Sequence, residues 1–262
     1  MSSTFTWSPI SNRESQFGYF DEILGRPVWR GRKILDFGGN VGGLLTNAGG
    51  RIDPADYWCI DVNRPAIEIG QRRHPRAHFL HYDRYSSQYN PGGVRHLPIP
   101  DCGLKFDTIL AFSVFTHAHQ IEMRELVKQL ENMLAPNGVL AFTFCDARYD
   151  RSLTNPDLPA GSDVRKILEK LKDKPSADAI PKNGEIDEIV ARAVKANWCV
   201  LIDDRLHIEP GAEISGQERT GAADESYNSY FTADYVASLF PDGTVLPPVS
   251  PEWQHCCILR NE

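Results

Sequence analysis

The stretch Lys33-Ile-Leu-Asp-Phe-Gly-Gly-Asn-Val-Gly-Gly-Leu-Leu45 constrains this 262-residue chain more than any other feature. A short run of strand formers enters a glycine-rich turn, and the turn opens a helix-like segment. Glycines there let the backbone approach a ligand where side chains would block it. In a parallel α/β sheet this place is the carboxyl end of a strand, where nucleotide-like ligands bind. The same residues would also suit a turn that only packs a helix on a strand.

The surrounding chain repeats the rhythm. Strand candidates fall at Lys33–Phe37, Tyr57–Ile60, Ala77–His81, Thr108–Phe112 and Val139–Phe144. Helical patterns lie between them at Gly42–Ala48, Pro65–Arg73 and Ile121–Leu134, the last expected to stop at Ala135-Pro136-Asn137-Gly138. Such alternation gives a Rossmann-like doubly wound sheet with helices on both faces. After Asp146 the rhythm breaks. Residues 147–229 read as a cap-like insertion, with helices expected at Asp163–Leu171 and Glu185–Ala196, a strand at Trp198–Ile202 and a loop over Gly211–Ser226. A helix at Thr232–Leu239 and strands at Thr244–Val249 and His255–Leu259 then restore it. The expected organisation is one α/β domain with its core in 31–146 and 230–262. Residues 1–30 form an amino-terminal helical or lid segment, in which Phe17-Gly-Tyr-Phe20 suits core packing better than a lid.

Composition narrows the partners. A hydrophobic content of 41% supports a substantial core, and a net charge of −7 argues against non-specific nucleic-acid binding, which needs a basic face. The six cysteines are scattered without a Cys-x-x-Cys pair, which suits free thiols in a reducing compartment. The amino terminus lacks the pattern of a secretory signal, and no run approaches the ~20 apolar residues that span a bilayer. The expectation is a cytoplasmic monomer or homodimer with no membrane or nucleic-acid partner.

Details of the turn separate the possible ligands. A dinucleotide site needs a middle glycine where Asn40 stands, and Asp36 ends the strand two residues before Gly38. A carboxylate there repels a pyrophosphate but suits a ligand carrying an ammonium group. At this point the sequence resembles the class I S-adenosylmethionine (SAM)-dependent methyltransferase family, whose first motif is matched by Asp36, Gly38 and Gly42, with Asn40 departing from it. Tyr57-Trp-Cys-Ile-Asp61 resembles the family's second strand, Phe79-Leu-His-Tyr-Asp83 its third, and Phe106-Asp-Thr-Ile-Leu-Ala-Phe-Ser-Val-Phe-Thr-His117 its fourth with the following loop. Leu134-Ala-Pro-Asn-Gly-Val-Leu140 resembles the turn into the fifth strand, and Trp253-Gln-His-Cys-Cys-Ile-Leu259 the antiparallel last strand.

The resemblance covers residues 31–146 and about 230–262. It implies SAM as cofactor, with S-adenosylhomocysteine (SAH) as product. It implies a cofactor site of Asp36, Gly38, Gly39, Asn40, Gly42, Asp61, Val62, Asp83, Phe112 and Ser113. Within it Asp61 would take the ribose hydroxyls and Asp83 the adenine amino group. Asp61 would equally suit a helix cap, and Asp83 a turn.

Methyl transfer from a sulfonium is an in-line displacement, so positioning and exclusion of water can supply most of the rate. A base is needed only where the acceptor must lose a proton, and His117 and His119 are the catalytic candidates. Their spacing does not call for a metal, and the same stretch could simply begin a helix. In the insertion, His207, Tyr227 and Tyr230 are the substrate-binding candidates, beside Glu209 and Phe231, with ordinary packing as the alternative. The function expected is O- or N-methylation of a small molecule in specialised metabolism, such as antibiotic biosynthesis. The alternatives are a non-catalytic binding protein of the same fold and a nicotinamide-dependent oxidoreductase.

Overall fold

The computed structural model describes residues 16–86, 88–149, 164–166, 185–202, 205–207, 227–249 and 254–262. Its elements in chain order begin with α1 (Gln16–Ile23), β1 (Ile34–Phe37), α2 (Gly43–Asn47), β2 (Tyr57–Asp61), α3 (Arg64–Arg73), β3 (His78–His81) and β4 (Phe106–Ala111). They continue with α4 (Gln120–Glu131), β5 (Leu134–Asp146), α5 (Glu185–Lys195), β6 (Trp198–Ile202), β7 (Arg205–His207) and β8 (Tyr227–Phe231). The last are α6 (Ala233–Leu239), β9 (Thr244–Leu246) and β10 (His255–Arg260). Among the described residues, no helix is long and apolar enough to cross a membrane.

Strands β3, β2, β1, β4 and β5 lie side by side and parallel. Strand order therefore reverses between β1 and β4, and the glycine turn leaves β1 at that reversal. The last strand, β10, runs antiparallel to β5, and β9 runs antiparallel to β10. Alternation along the strands splits the core between two faces. Leu35, Phe37, Ile109 and Phe142 face α4 through Met123, Leu126, Val127 and Leu130. Ile34, Cys59, Leu110 and Ala141 pack in the opposite cluster with Phe17 and Phe20 of α1 and Leu44 of α2. The amino-terminal aromatics are thus core. Asp21 of α1 is pinned by the Trp29 indole N–H at 2.7 Å and by two N–H groups of Arg51 at 2.6 and 2.7 Å.

The expected stop at 135–138 is different in the structure. Helix α4 ends at Glu131, and those residues lie within β5. Leu134 pairs with Phe106, the register then shifts, and Asn137 takes a positive φ of 60°. The Asn137 N–H donates to the Asn261 carbonyl and the Asn261 N–H to the Gly138 carbonyl, so a distant segment satisfies the bulged backbone.

Within the insertion the expected strand at Trp198–Ile202 is β6. It pairs antiparallel with both β7 and β8, and β8 pairs parallel with Cys145 and Asp146 at the end of β5. The small sheet of the insertion therefore joins the main sheet at its carboxyl edge. The helix expected over Asp163–Leu171 is seen as a helical turn at 164–166, its remainder lies outside the described residues, and so does the loop over Gly211–Ser226.

Candidate active site

The glycine turn is shaped by its own packing. Gly38, Asn40 and Gly42 have φ of 76°, 52° and 78°, the left-handed region that glycine and asparagine tolerate best. The Gly38 N–H donates to the Ile60 carbonyl at 2.7 Å, and the Gly42 N–H closes the turn on the Gly39 carbonyl at 2.9 Å. A Cβ on Gly38 would lie 2.4 Å from Val114 Cγ2, so the loop after β4 seats directly on the turn. A Cβ on Gly39 would lie 2.5 Å from Asp36 Cγ and 2.9 Å from Cys59 Sγ. Asp36 thus sits beneath the loop, only 1% exposed, and accepts the Tyr57 phenol at 2.5 Å. Burial raises its carboxyl to about 7, against the Tyr57 hydrogen bond and with the help of the Asp61 charge. Burial and then Asp36 push the Tyr57 phenol and the Cys59 thiol well above their ordinary ranges, so both stay protonated.

Asp61 closes β2 and is held by backbone. Its Oδ2 accepts the Asn40 N–H at 2.8 Å and its Oδ1 the Asn63 N–H at 2.7 Å. Burial raises the carboxyl, while those two N–H groups pull it down. Two fixed donors leave a second lone pair on each oxygen, which is what a vicinal diol needs. The helix-cap alternative falls elsewhere, because the Asn63 side chain caps α3 by accepting the Ala66 N–H. Next to Asp61, the Val62 carbonyl lies 3.2 Å from His81 Nε2. The hydrogen-bond and ion-pair partners of Asp36 and Asp61 include no lysine or arginine among the described residues. This acidic, cation-free donor set fits a positively charged cofactor and opposes a pyrophosphate.

Phe112 is packed edge-on by Tyr19 and Phe20 of α1, at centroid distances of 5.7 and 6.0 Å. Ser113 carries a φ of 57°, unusual outside glycine. Its N–H donates to Thr143 Oγ1 at 2.8 Å, its hydroxyl oxygen accepts from Gln254 Nε2, and its carbonyl accepts from Thr116 Oγ1 at 2.7 Å. Thr143 Oγ1 in turn donates to Gln254 Oε1 at 2.7 Å. Tyr57, Thr143 and Gln254 escaped the sequence reading. Tyr57 looked like a strand former, and Gln254 is tied to this loop only through the pairing of β10 with β5.

The two histidines diverge. His119 is the N-cap of α4: its Nδ1 accepts the Ile121 N–H at 3.2 Å, and Glu122 Oε2 accepts the His119 N–H at 3.1 Å, a capping box. His117 ends a short 3-10 turn, half-buried, with its ring edge-on to Tyr89 at 5.4 Å. Asp83 is exposed, and its Oδ1 accepts the Asn90 side-chain amide at 3.1 Å. Tyr230 is buried with Ala147, Val164, Ile186, Ala193 and Cys199 between the insertion and the end of β5. His207 and Tyr227 lie on β7 and β8, paired with Val200 and Ile202 of β6. Glu209 lies outside the described residues.

Residues 35–140 match a family model described as a methyltransferase domain. A phthiotriol/phenolphthiotriol dimycocerosates methyltransferase from Mycobacterium ulcerans is 25% identical over 211 residues, 79% of this chain and 70% of that protein. Among solved structures, the PH0226 protein from Pyrococcus horikoshii shares the fold at a TM-score of 0.50, with 13% identity and 97% of each chain covered. The SAM-bound amino pentose methyltransferase CalS10 from Micromonospora echinaspora aligns at a TM-score of 0.48, with 14% identity over 96% of this chain and 94% of that one. The matched segment contains the glycine turn, both buried acids and the loop after β4, so the part of this chain that carries the candidate site is similar to methyltransferase domains.

Proposed function

We propose that the chain transfers a methyl group from SAM to an oxygen or nitrogen of a small-molecule acceptor, in specialised metabolism. The observation that carries the cofactor assignment is the Asp61 carboxylate, fixed by the Asn40 and Asn63 N–H groups with no lysine or arginine among its hydrogen-bond or ion-pair partners in the described residues. When bound, SAM supplies a methyl already activated by a sulfonium. The protein's share is to orient that methyl, bring the acceptor in line and exclude water. Asp61 holds the ribose, and the Gly38–Gly42 backbone approaches the amino-acid end closely. Ser113 shapes the loop beside the reacting centre. His117 is the better candidate than His119 for taking an acceptor proton, because the His119 Nδ1 is committed to the cap. The net charge of −7 supports a small acceptor over nucleic acid.

Titration calorimetry with SAM, SAH and NADH tests the cofactor. SAM and SAH should bind without added metal while NADH does not. No SAH binding at millimolar concentration would overturn the proposal. Transfer of label from methyl-tritiated SAM to fractions of a metabolite extract, lost in the Asp61→Ala variant, then tests the acceptor class. Binding without transfer to any fraction would leave the non-catalytic alternative standing.

A further inference from the structure

Between β3 and β4 the chain folds a tight hairpin whose construction no motif announced. Ser86 and Asn90 exchange backbone hydrogen bonds at 3.0 and 3.1 Å, and the Asn90 side chain donates to Asp83 Oδ1 and to the Arg84 carbonyl at 3.1 Å each. A Cβ on Gly93 would lie 2.6 Å from the Arg84 carbonyl group, so the two arms cross where only glycine fits. The base is clamped by Arg84, which is 3% exposed. Its guanidinium donates to both Glu125 oxygens at 3.1 Å and to the Leu97 carbonyl at 2.9 Å. This partly buried bidentate pair fastens the hairpin to α4.

What the hairpin displays is Tyr89, a ring 41% exposed to solvent. It stands edge-on to His117, in the loop after β4. Its hairpin is also anchored beside the end of β2, where the Tyr82 N–H donates to the Asp61 carbonyl at 2.9 Å. Burial, and then the Asp61 charge, raise the Tyr89 phenol above its ordinary range. Tyr89 is therefore tied to the loop after β4 through His117, and the chain that leads into its hairpin is tied to the end of β2 through Tyr82.

We infer that Tyr89 is a cofactor-binding residue, the aromatic wall against which the nucleoside half of SAM packs, with its ring braced by His117. A ring needs no hydrogen-bond register to grip a purine face, and such contacts are sensitive to truncation to alanine. Asp83 supports the hairpin by accepting the Asn90 amide on its Oδ1. This inference rests on the SAM reading.

Calorimetry with SAH and with 5′-methylthioadenosine, which lacks the amino-acid end, tests it on the full chain. The wild type should bind both. Tyr89→Ala should weaken both by about tenfold, Tyr89→Phe should stay within about twofold, and thermal midpoints without ligand should match the wild type. Unchanged affinity in Tyr89→Ala overturns the inference. So does a loss confined to SAH, or a loss in Tyr89→Phe equal to that in Tyr89→Ala. A wild type that binds neither ligand sinks the SAM reading first, and this inference with it.

Discussion

Replacing Asp36 by asparagine should change how stability depends on pH. Asp36 is 1% exposed, and its carboxyl titrates near 7 in the folded chain against 3.8 as the ordinary value. Between those two values the unfolded chain has lost the proton and the folded chain keeps it. Stability contributed by this group is therefore full below pH 3.8 and is lost as pH rises toward 7. The whole difference is on the order of 4 kcal/mol, and the part lost between pH 5 and pH 8 is about 2.5 kcal/mol. Asparagine keeps the shape and an acceptor for the Tyr57 phenol but carries no charge. Urea unfolding followed by tryptophan fluorescence, on both proteins across that range, cancels the other titrating groups. Asp36→Asn should gain on the wild type by about 2.5 kcal/mol as pH rises from 5 to 8, most of it below pH 7. A variant-minus-wild-type difference in unfolding free energy that stays flat to within about 0.5 kcal/mol, or that falls as pH rises, would refute the buried-acid argument.

Asp61→Ala should weaken SAH binding at least about tenfold in calorimetry, since each charge-assisted bond to the ribose is worth roughly 1.5–3 kcal/mol. Unchanged affinity would return Asp61 to a purely structural role in fixing Asn40 and Asn63. Gly39→Ala drives a Cβ to 2.5 Å from Asp36 Cγ. It should cost about 1–3 kcal/mol in urea unfolding, and a variant as stable as wild type would contradict the close packing of Asp36 under the turn. Gln254→Leu strips partners from Thr143 and Ser113 and should cost about 1–3 kcal/mol. A cost below about 0.5 kcal/mol would mean that the network does not hold Ser113.

The sequence revealed what its neighbours in the chain decide. Trp198–Ile202 was legible to the residue, because five strand formers in a row follow a helix that ends at Lys195 and a left-handed Asn197 with φ of 63°. Tyr57–Asp61 and the turn at Gly38–Gly42 were legible for the same reason. The stop expected at Ala135-Pro136-Asn137-Gly138 failed because local breakers argue for an end, while β4 and Asn261 supply the hydrogen bonds that carry a bulged strand through them. The site divides similarly. Both buried acids could be read from strand ends, but the burial of Asp36 under Gly39 depends on the Tyr57 phenol and on how tightly the turn folds back. A helix beginning in the His117–His119 stretch was legible, but His119 as its cap was not, although Glu122 three residues on is the signature of a capping box. Tyr89 had no signature, since its placement depends on Arg84 reaching Glu125 on another element.

Strand β5 couples parts of the molecule that the chain keeps far apart. Thr143 holds the N–H of Ser113 on one side of the carboxyl edge. Three residues on, Asp146 accepts the Ala233 N–H at 2.7 Å at the start of α6 and the Arg148 N–H at 2.7 Å, while Arg148 reaches Asp234 at 2.7 Å. Cys145 and Asp146 also carry the ladder to β8 and so to the strands of the insertion. Ser229 on β8 reinforces this by donating its hydroxyl to the Ala118 carbonyl at 2.7 Å, just beyond His117. The insertion strands are therefore hydrogen-bonded both to β5 and to the loop that carries the candidate base. A left-handed serine is costly, at about 1–3 kcal/mol, and persists only where its surroundings over-determine it. Here the over-determination comes from β5 and β10 together. A shift of β8 relative to β5 would act on Ser113 through the Thr143 hydroxyl and on the stretch beside His117 through the Ser229 hydroxyl. If, as we propose, the acceptor binds against the insertion and the methyl lies beside Ser113, both would be linked through β5, which is the mechanical requirement for aligning a nucleophile with a methyl held by a different part of the sheet.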